Sequence, residues 1–273
     1  MERAAATEYL RDQYATPEKL DIRIQAHQRY SERPDDYLDW VLNHLDPRPG
    51  ESVVDVGCGR GSYHMPLVKR GVRVILALDT SPGMVSTSQQ QAIAHGLPVV
   101  AIEASAERIP VTDASYDLGM ANHVLFHVAD VAAALRELRR VLKDGGRAVL
   151  TTAGADSAAR LESLHCDAAR RLGYQPAGRV IERFNMDHLD LVRSVFPTTQ
   201  RYIRDDAFVF PSTELTLRYY ASGMIDAIEN RPVDNGHREP LMRLVGEAVD
   251  AIIAREGVFR DPKPAGCFVV TKS

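Results

Sequence analysis

"VVDVGCGRGSY", residues 53–63, is the stretch that decides how the rest of the chain reads. An apolar run interrupted by Asp55 leads into glycines at 57, 59 and 61. Glycine accepts backbone conformations closed to other residues and lets the main chain approach a ligand. A helix starting just beyond it points free N–H groups at the same place. Strand, glycine turn and helix in that order form a nucleotide cradle. Asp55, two residues before the first glycine, narrows the choice of nucleotide, because like charge repels a pyrophosphate placed beside that carboxylate. The dinucleotide pattern G-x-G-x-x-G is also broken: Ser62 holds the last place and Gly61 comes one residue early.

Outward from this turn, short apolar runs alternate with helical stretches. "SVVDV" (52–56), "VRVILAL" (72–78), "PVVAI" (98–102), "YDLGMAN" (116–122) and "RAVLTT" (147–152) read as strands, and their continuous apolar character suits a parallel sheet covered on both faces. "DVAAALRELRRVLKDGG" reads as a helix, with Asp130 as N-cap, Val131, Leu135, Leu138 and Leu142 as its stripe, and Gly145-Gly146 as its end. "TQRYIRDDAFVF" (199–210) and "GCFVVTK" (266–272) complete seven strands. The expected fold is α/β: a doubly wound, mostly parallel, seven-stranded Rossmann-like sheet with N-terminal helices. A helical insertion between the last two strands is expected to form a cap. The corresponding divisions are 1–49 as a helical lid, 50–211 with 259–273 as the core, and 212–258 as the cap.

Composition limits the function. The 273 residues are 45% hydrophobic and 26% charged, with a formal net charge of −4. These are the proportions of an ordinary globular protein without overall attraction for nucleic acid. No apolar run reaches the roughly 20 residues that span a bilayer, and the polar start "MERAAATEYLRDQY" does not read as a secretory signal, so a cytoplasmic location is expected. Cys58, Cys166 and Cys267 are too widely spaced for a disulfide framework or a zinc pattern. No metal site is expected, and the spacing is silent on oligomeric state.

S-adenosylmethionine carries an ammonium, a sulfonium and a single carboxylate, so an acid at the end of the first strand complements it. Asp79, ending the second strand about 20 residues after the glycines, suits both hydroxyls of a ribose. Together "VVDVGCGRGSY", "LALDTSPGMV", "ASAERIPVTDASYDLGMANHVLFHVAD" and "ALRELRRVLKDGGRAVLTT" resemble a class I S-adenosylmethionine-dependent methyltransferase, and most nearly the small-molecule methyltransferases of ubiquinone and menaquinone biosynthesis. The resemblance covers roughly residues 50–152. It implies that Asp55, Gly57, Cys58, Gly59 and Gly61 hold the methionine half of the cofactor. It also implies that Asp79, Thr80 and Met84 flank ribose and adenine, and that Asn122 and His123 run beside the sulfonium. Ser105, Ala106 and Glu107 match the segment that meets the adenine amino group, although Ser105 stands where the family carries an aspartate. A hydroxyl accepts a weaker bond than a carboxylate.

Methyl transfer is a displacement at carbon, so the protein aligns the acceptor and excludes water. A base is needed only for weakly acidic acceptors, and His123, His127 and His27 are the candidates because histidine titrates near neutrality. Arg23, His27 and Tyr30 share one helix face. With Tyr14, Phe126, Tyr219 and Tyr220, Arg23 and His27 are the candidates for holding a small-molecule substrate. Each has a simpler reading as packing or solvated surface. The leading function is a methyltransferase acting on a small molecule of secondary metabolism. Rivals are an S-adenosylmethionine-binding enzyme or sensor that moves no methyl, and a nicotinamide-dependent oxidoreductase, against which Asp55 and Ser62 count. The Asn/Asp-Pro-Pro-aromatic sequence common in nucleic-acid methyltransferases is missing at "ANHV". No nucleic-acid or membrane partner is expected.

Overall fold

The protein is described from a computed structural model, which covers residues 17–33 and 36–273. Its contacts divide the chain into two compact units. One comprises Asp36–Ala155, Val180–Arg204 and Ala265–Ser273; the other comprises Asp156–Arg179, Asp205–Pro264 and the described residues before Asp36. These divisions fall elsewhere than 49/50 and 211/212, because Tyr37–Leu45 packs with the sheet and residues 156–179 pack with the helices.

The first unit is built on a seven-stranded sheet. Its strands are β1 (Ser52–Val56), β2 (Val74–Asp79), β3 (Val99–Glu103), β4 (Tyr116–Asn122), β5 (Leu142–Ala153), β6 (Gln200–Arg204) and a late strand, β9 (Ala265–Thr271). The order is β3-β2-β1-β4-β5-β9-β6. The first five are parallel, and β9 runs antiparallel to both β5 and β6. Alternating side chains feed two cores, as the strand period of two requires. Val54, Val56, Leu76 and Leu78 face a layer containing α5 (Val131–Val141) and α7 (Leu189–Val195). Val53, Ile75, Ala77, Leu118 and Met120 face α2 (Tyr37–Leu45), α3 (His64–Lys69) and α4 (Pro82–Ala94). Asp130 does cap α5, its Oδ1 accepting from the Ala133 amide at 2.8 Å.

Two local expectations are corrected. The α5 helix stops at Val141, and Leu142 already pairs with Tyr116 in β5. Gly145-Gly146 therefore lies in an irregular strand and not at a helix end. A side chain at Gly146 would meet the Lys143 carbonyl at 2.7 Å and the Asp117 carbonyl at 3.1 Å, so the glycine serves close strand approach. "TQRYIRDDAFVF" is two strands, broken at Asp205-Asp206. Only β6 joins the main sheet. β7 (Ala207–Phe210) pairs instead with β8 (Phe259–Pro262), a strand not expected from sequence.

The second unit comprises that two-stranded sheet with α1 (Pro17–Tyr30), α6 (Ala159–Arg171), α8 (Thr213–Ala221) and α9 (Arg238–Glu256). Phe208, Phe210, Phe259, Tyr220 and Val245 are at its core. The 212–258 segment is thus helical as expected, but it joins β7 to β8. No helix among the described residues is long and apolar enough to cross a membrane.

Asp117 ties three strands of the large sheet. Its carboxylate accepts from the Ser52 amide at 2.9 Å, the Ser52 hydroxyl at 2.6 Å and Lys143 Nζ at 2.6 Å. Burial pushes this carboxyl upward, but the bonds from Lys143 and Ser52 outweigh it and bring it down to about 2. A carboxyl lowered on folding stabilises above its unfolded value, and that stability is lost as pH falls from about 4 toward 2. Asp117→Asn should therefore lower the denaturant midpoint at pH 7 by the equivalent of about 1–2 kcal/mol, with a gap that narrows as pH falls below about 4. An equal gap at pH 7 and pH 3.5 would contradict the ionic origin.

Candidate functional site

The candidate site lies at the C-terminal ends of β2, β1 and β4, where the chain winds one way into β2 and β3 and returns to β4. Ligands bind open α/β sheets at such a switch point. Asp55 is aligned with Ala77 on one side and Met120 on the other, while Asp79 and Asn122 are the last residues of β2 and β4.

Gly57, Gly59 and Gly61 all have positive φ, at 69°, 54° and 82°. Their surroundings differ. A side chain at Gly57 would strike Val124 at 2.3 Å, and one at Gly61 would strike the His64 ring at 2.6 Å. At Gly59 nothing lies within 4 Å. Two glycines are thus needed for protein packing, and the middle one borders open space.

Asp79 organises this turn. Its Oδ2 accepts from the Gly59 amide at 3.0 Å and its Oδ1 from the Ser81 amide at 2.9 Å. Burial holds its carboxyl above the usual range despite these bonds. The Thr80 amide adds to the pull of these two donors, and a carboxylate has room for about four. Ser81 in turn caps α4, its hydroxyl accepting from the Met84 amide at 3.4 Å. Thr80 between them is exposed. Asp55 is buried, and its Oδ2 accepts from His64 Nε2 at 3.1 Å. Burial, reinforced by Asp55 and Asp79, pushes the Cys58 thiol up, so this sulfur stays protonated and is no nucleophile.

At the end of β4, Asn122 Oδ1 accepts from Thr151 Oγ1 at 3.2 Å, while its buried Nδ2 has no partner among the described residues. His123 follows with φ at 49°, its amide bonded to the Thr151 carbonyl at 3.0 Å. Its Nε2 meets the Tyr37 hydroxyl at 3.0 Å. The ring keeps an exposed surface, yet the protein massed around it withholds solvation from its charged form and holds it below the ordinary histidine range. Burial raises the Tyr37 hydroxyl, which therefore remains a donor. Tyr37 and His64 were missed from sequence; His64, three residues after Gly61 on the first turn of α3, carried the only local signal.

The other expected residues separate. Ser105 Oγ donates to Glu107 Oε2 and accepts from the Glu107 amide, both at 3.2 Å, and Ala106 is buried beside them. Glu107 Oε1 also accepts from the Asp130 amide at 2.7 Å. Phe126 packs on the sheet core, and the ring of His127 lies 4.4 Å from it. Arg23, His27, Tyr219 and Tyr220 all belong to the helical unit. Arg23 Nε donates to the Lys19 carbonyl, while His27 and Tyr219 lie 4.8 and 4.7 Å from Phe208. Tyr220 is fully buried, its hydroxyl 2.7 Å from His165 Nδ1. Tyr14 lies outside the described residues. Among the described residues no group of three or more His, Cys, Asp or Glu could hold a metal ion.

Residues 54–150 match the family model described as "Methyltransferase domain". The malonyl-[acyl-carrier protein] O-methyltransferase of Serratia marcescens is 36% identical over 117 residues, covering 43% of this chain and 44% of that protein. The demethylmenaquinone methyltransferase of Corynebacterium kroppenstedtii is 37% identical over 103 residues, covering 38% and 42%. The chain thus spans less than half the length of these curated relatives. In three dimensions the YcgJ protein of Bacillus subtilis superposes with a TM-score of 0.57 at 19% identity, over 86% of this chain and 97% of that one, a likeness of fold. The glycine turn, Asp55, Asp79 and the strands β2, β3 and β4 all fall inside the matched residues, so residues 54–150 carry a methyltransferase domain.

Proposed function

We propose that the protein transfers a methyl group from S-adenosylmethionine to a small molecule, of the kind made in bacterial secondary metabolism. The open space over Gly59 carries this reading. A glycine at positive φ that touches no protein is one whose missing side chain leaves room for a ligand. Asp79, held above its usual range by burial, gains from ribose hydroxyl donors. Asp55 offers negative charge to an ammonium. The residues present therefore fit the cofactor.

When bound, S-adenosylmethionine supplies a methyl group on a positively charged sulfur. In the proposal, Asp55, Cys58 and the three glycines hold its amino-acid end. Asp79, Thr80 and Met84 hold the ribose side, and Ser105, Ala106 and Glu107 line the adenine side. Asn122 and His123 occupy the methyl side, with His123 as the first candidate to take a proton from an acidic acceptor and His127 and His27 as the others. Arg23, His27, Phe126 and Tyr219 remain acceptor-side candidates, whereas Tyr220 with its bond to His165 supports its own unit. The net charge of −4 favours a small acceptor over nucleic acid, whose binding rests on neutralised phosphates. A cytoplasmic location goes with this reading.

S-adenosylhomocysteine should raise the melting temperature and NAD should not; the reverse pattern would favour an oxidoreductase. Gly59→Val, costing on the order of 1–2 kcal/mol of backbone strain, should leave a folded protein that no longer binds S-adenosylhomocysteine. Unchanged affinity by calorimetry would remove the reading's main support.

Asp79→Ala should weaken S-adenosylhomocysteine by at least about tenfold, since each charge-assisted bond contributes about 1.5–3 kcal/mol. A change below about twofold would place the ribose elsewhere.

His123 should titrate, by NMR of its ring protons, with a midpoint below the ordinary 6.5 of histidine. Its neutral form, the one able to accept a proton, then persists across neutral pH. A midpoint at or above the ordinary value would mean that the ring is fully hydrated.

A further inference from the structure

At the root of the glycine turn Asp55 is paired with His64, a residue that has no part in the roles above. His64 and Asp55 are each 2% exposed, and His64 Nε2 donates to Asp55 Oδ2 at 3.1 Å. The His64 ring also fills the place where a side chain at Gly61 would sit, 2.6 Å from Nδ1 and 2.8 Å from Cε1. One imidazole therefore touches both the acid and the third glycine of the cradle, and the amide of His64 bonds to the Gly61 carbonyl at 3.1 Å.

We propose that His64 is a positioning residue for the amino-acid end of the cofactor: by engaging Oδ2 it fixes the Asp55 carboxylate and leaves Oδ1 for the ligand's ammonium. This rests on the cofactor reading above. A buried carboxylate without its donor turns toward whatever partner it finds or takes up a proton, and either removes the charge an ammonium needs. His64 does not touch the cofactor in this scheme; it acts through Asp55. Its effect is therefore confined to ligands that carry the ammonium.

That confinement is the test. Affinities for S-adenosylhomocysteine, which has the amino-acid end, and 5′-methylthioadenosine, which lacks it, are measured by calorimetry on the full chain and on His64→Leu and His64→Gln. The leucine variant should bind S-adenosylhomocysteine at least about tenfold more weakly, one decade of affinity, and methylthioadenosine within about twofold of the parent. His64→Gln, whose amide N–H replaces the Nε2 donor, should recover most of the lost affinity. Equal weakening toward both ligands would mean that His64 merely shapes the turn, and no loss toward S-adenosylhomocysteine would remove its role; either overturns the proposal, as does a glutamine variant as weak as leucine. Should the leucine variant fail to fold, His64→Asn, whose shorter amide falls short of Asp55, takes its place, and equal affinities for asparagine and glutamine variants overturn the proposal. A parent chain that binds methylthioadenosine and S-adenosylhomocysteine equally well also overturns it, whereas one that binds neither defeats the cofactor reading itself.

Discussion

One carboxylate joins the two loops on which the candidate site depends. Asp79 accepts from the amide of Gly59, in the loop after β1, and from the amide of Ser81, in the loop after β2. Neither loop has regular structure of its own here, and buried amides need partners. The same carboxylate therefore sets the distance between the glycine turn and the start of α4. It does so with backbone donors, which no substitution in either loop other than proline removes. Burial strains the arrangement electrostatically, since the charged form is disfavoured, and further donors are what would relieve it.

Much of this was legible in the sequence. The strands β1, β2 and β4 are apolar runs with no polar alternation, which only a sheet covered on both faces makes stable. The turn at 57–61 is written in glycines, whose permitted backbone is a local property. The cap of α5 is equally local, with Asp130 bonding three residues on. In each case the residues that interact lie within a few positions, so spacing alone carries the signal.

What spacing did not carry is long-range pairing. Tyr37 and His123 are 86 residues apart and meet only because α2 packs against the sheet. The end of α5 was misread because Gly145-Gly146 looks like a helix stop, whereas the pairing of Leu142 with Tyr116 captures the chain earlier. The short strand β8, with Asp261 and Pro262 in four residues, lacks the apolar run that marks the others. Its membership is decided by β7, which presents Ala207–Phe210 to it. Tyr220, read as a substrate contact, finds its hydroxyl partner in His165, 55 residues away.

The place of β9 has a consequence for how the chain reaches this fold. It inserts between β5 and β6, both of which are made long before it. During synthesis β5 is an open edge for more than a hundred residues of elongation, with its hydrogen-bonding groups unpaired and Val149 and Leu150 on its two faces. Exposed edges of this kind invite pairing with other chains. Until Ala265–Thr271 arrives, the nascent sheet is a template for misassembly, and the final strand acts as a plug that ends its vulnerability.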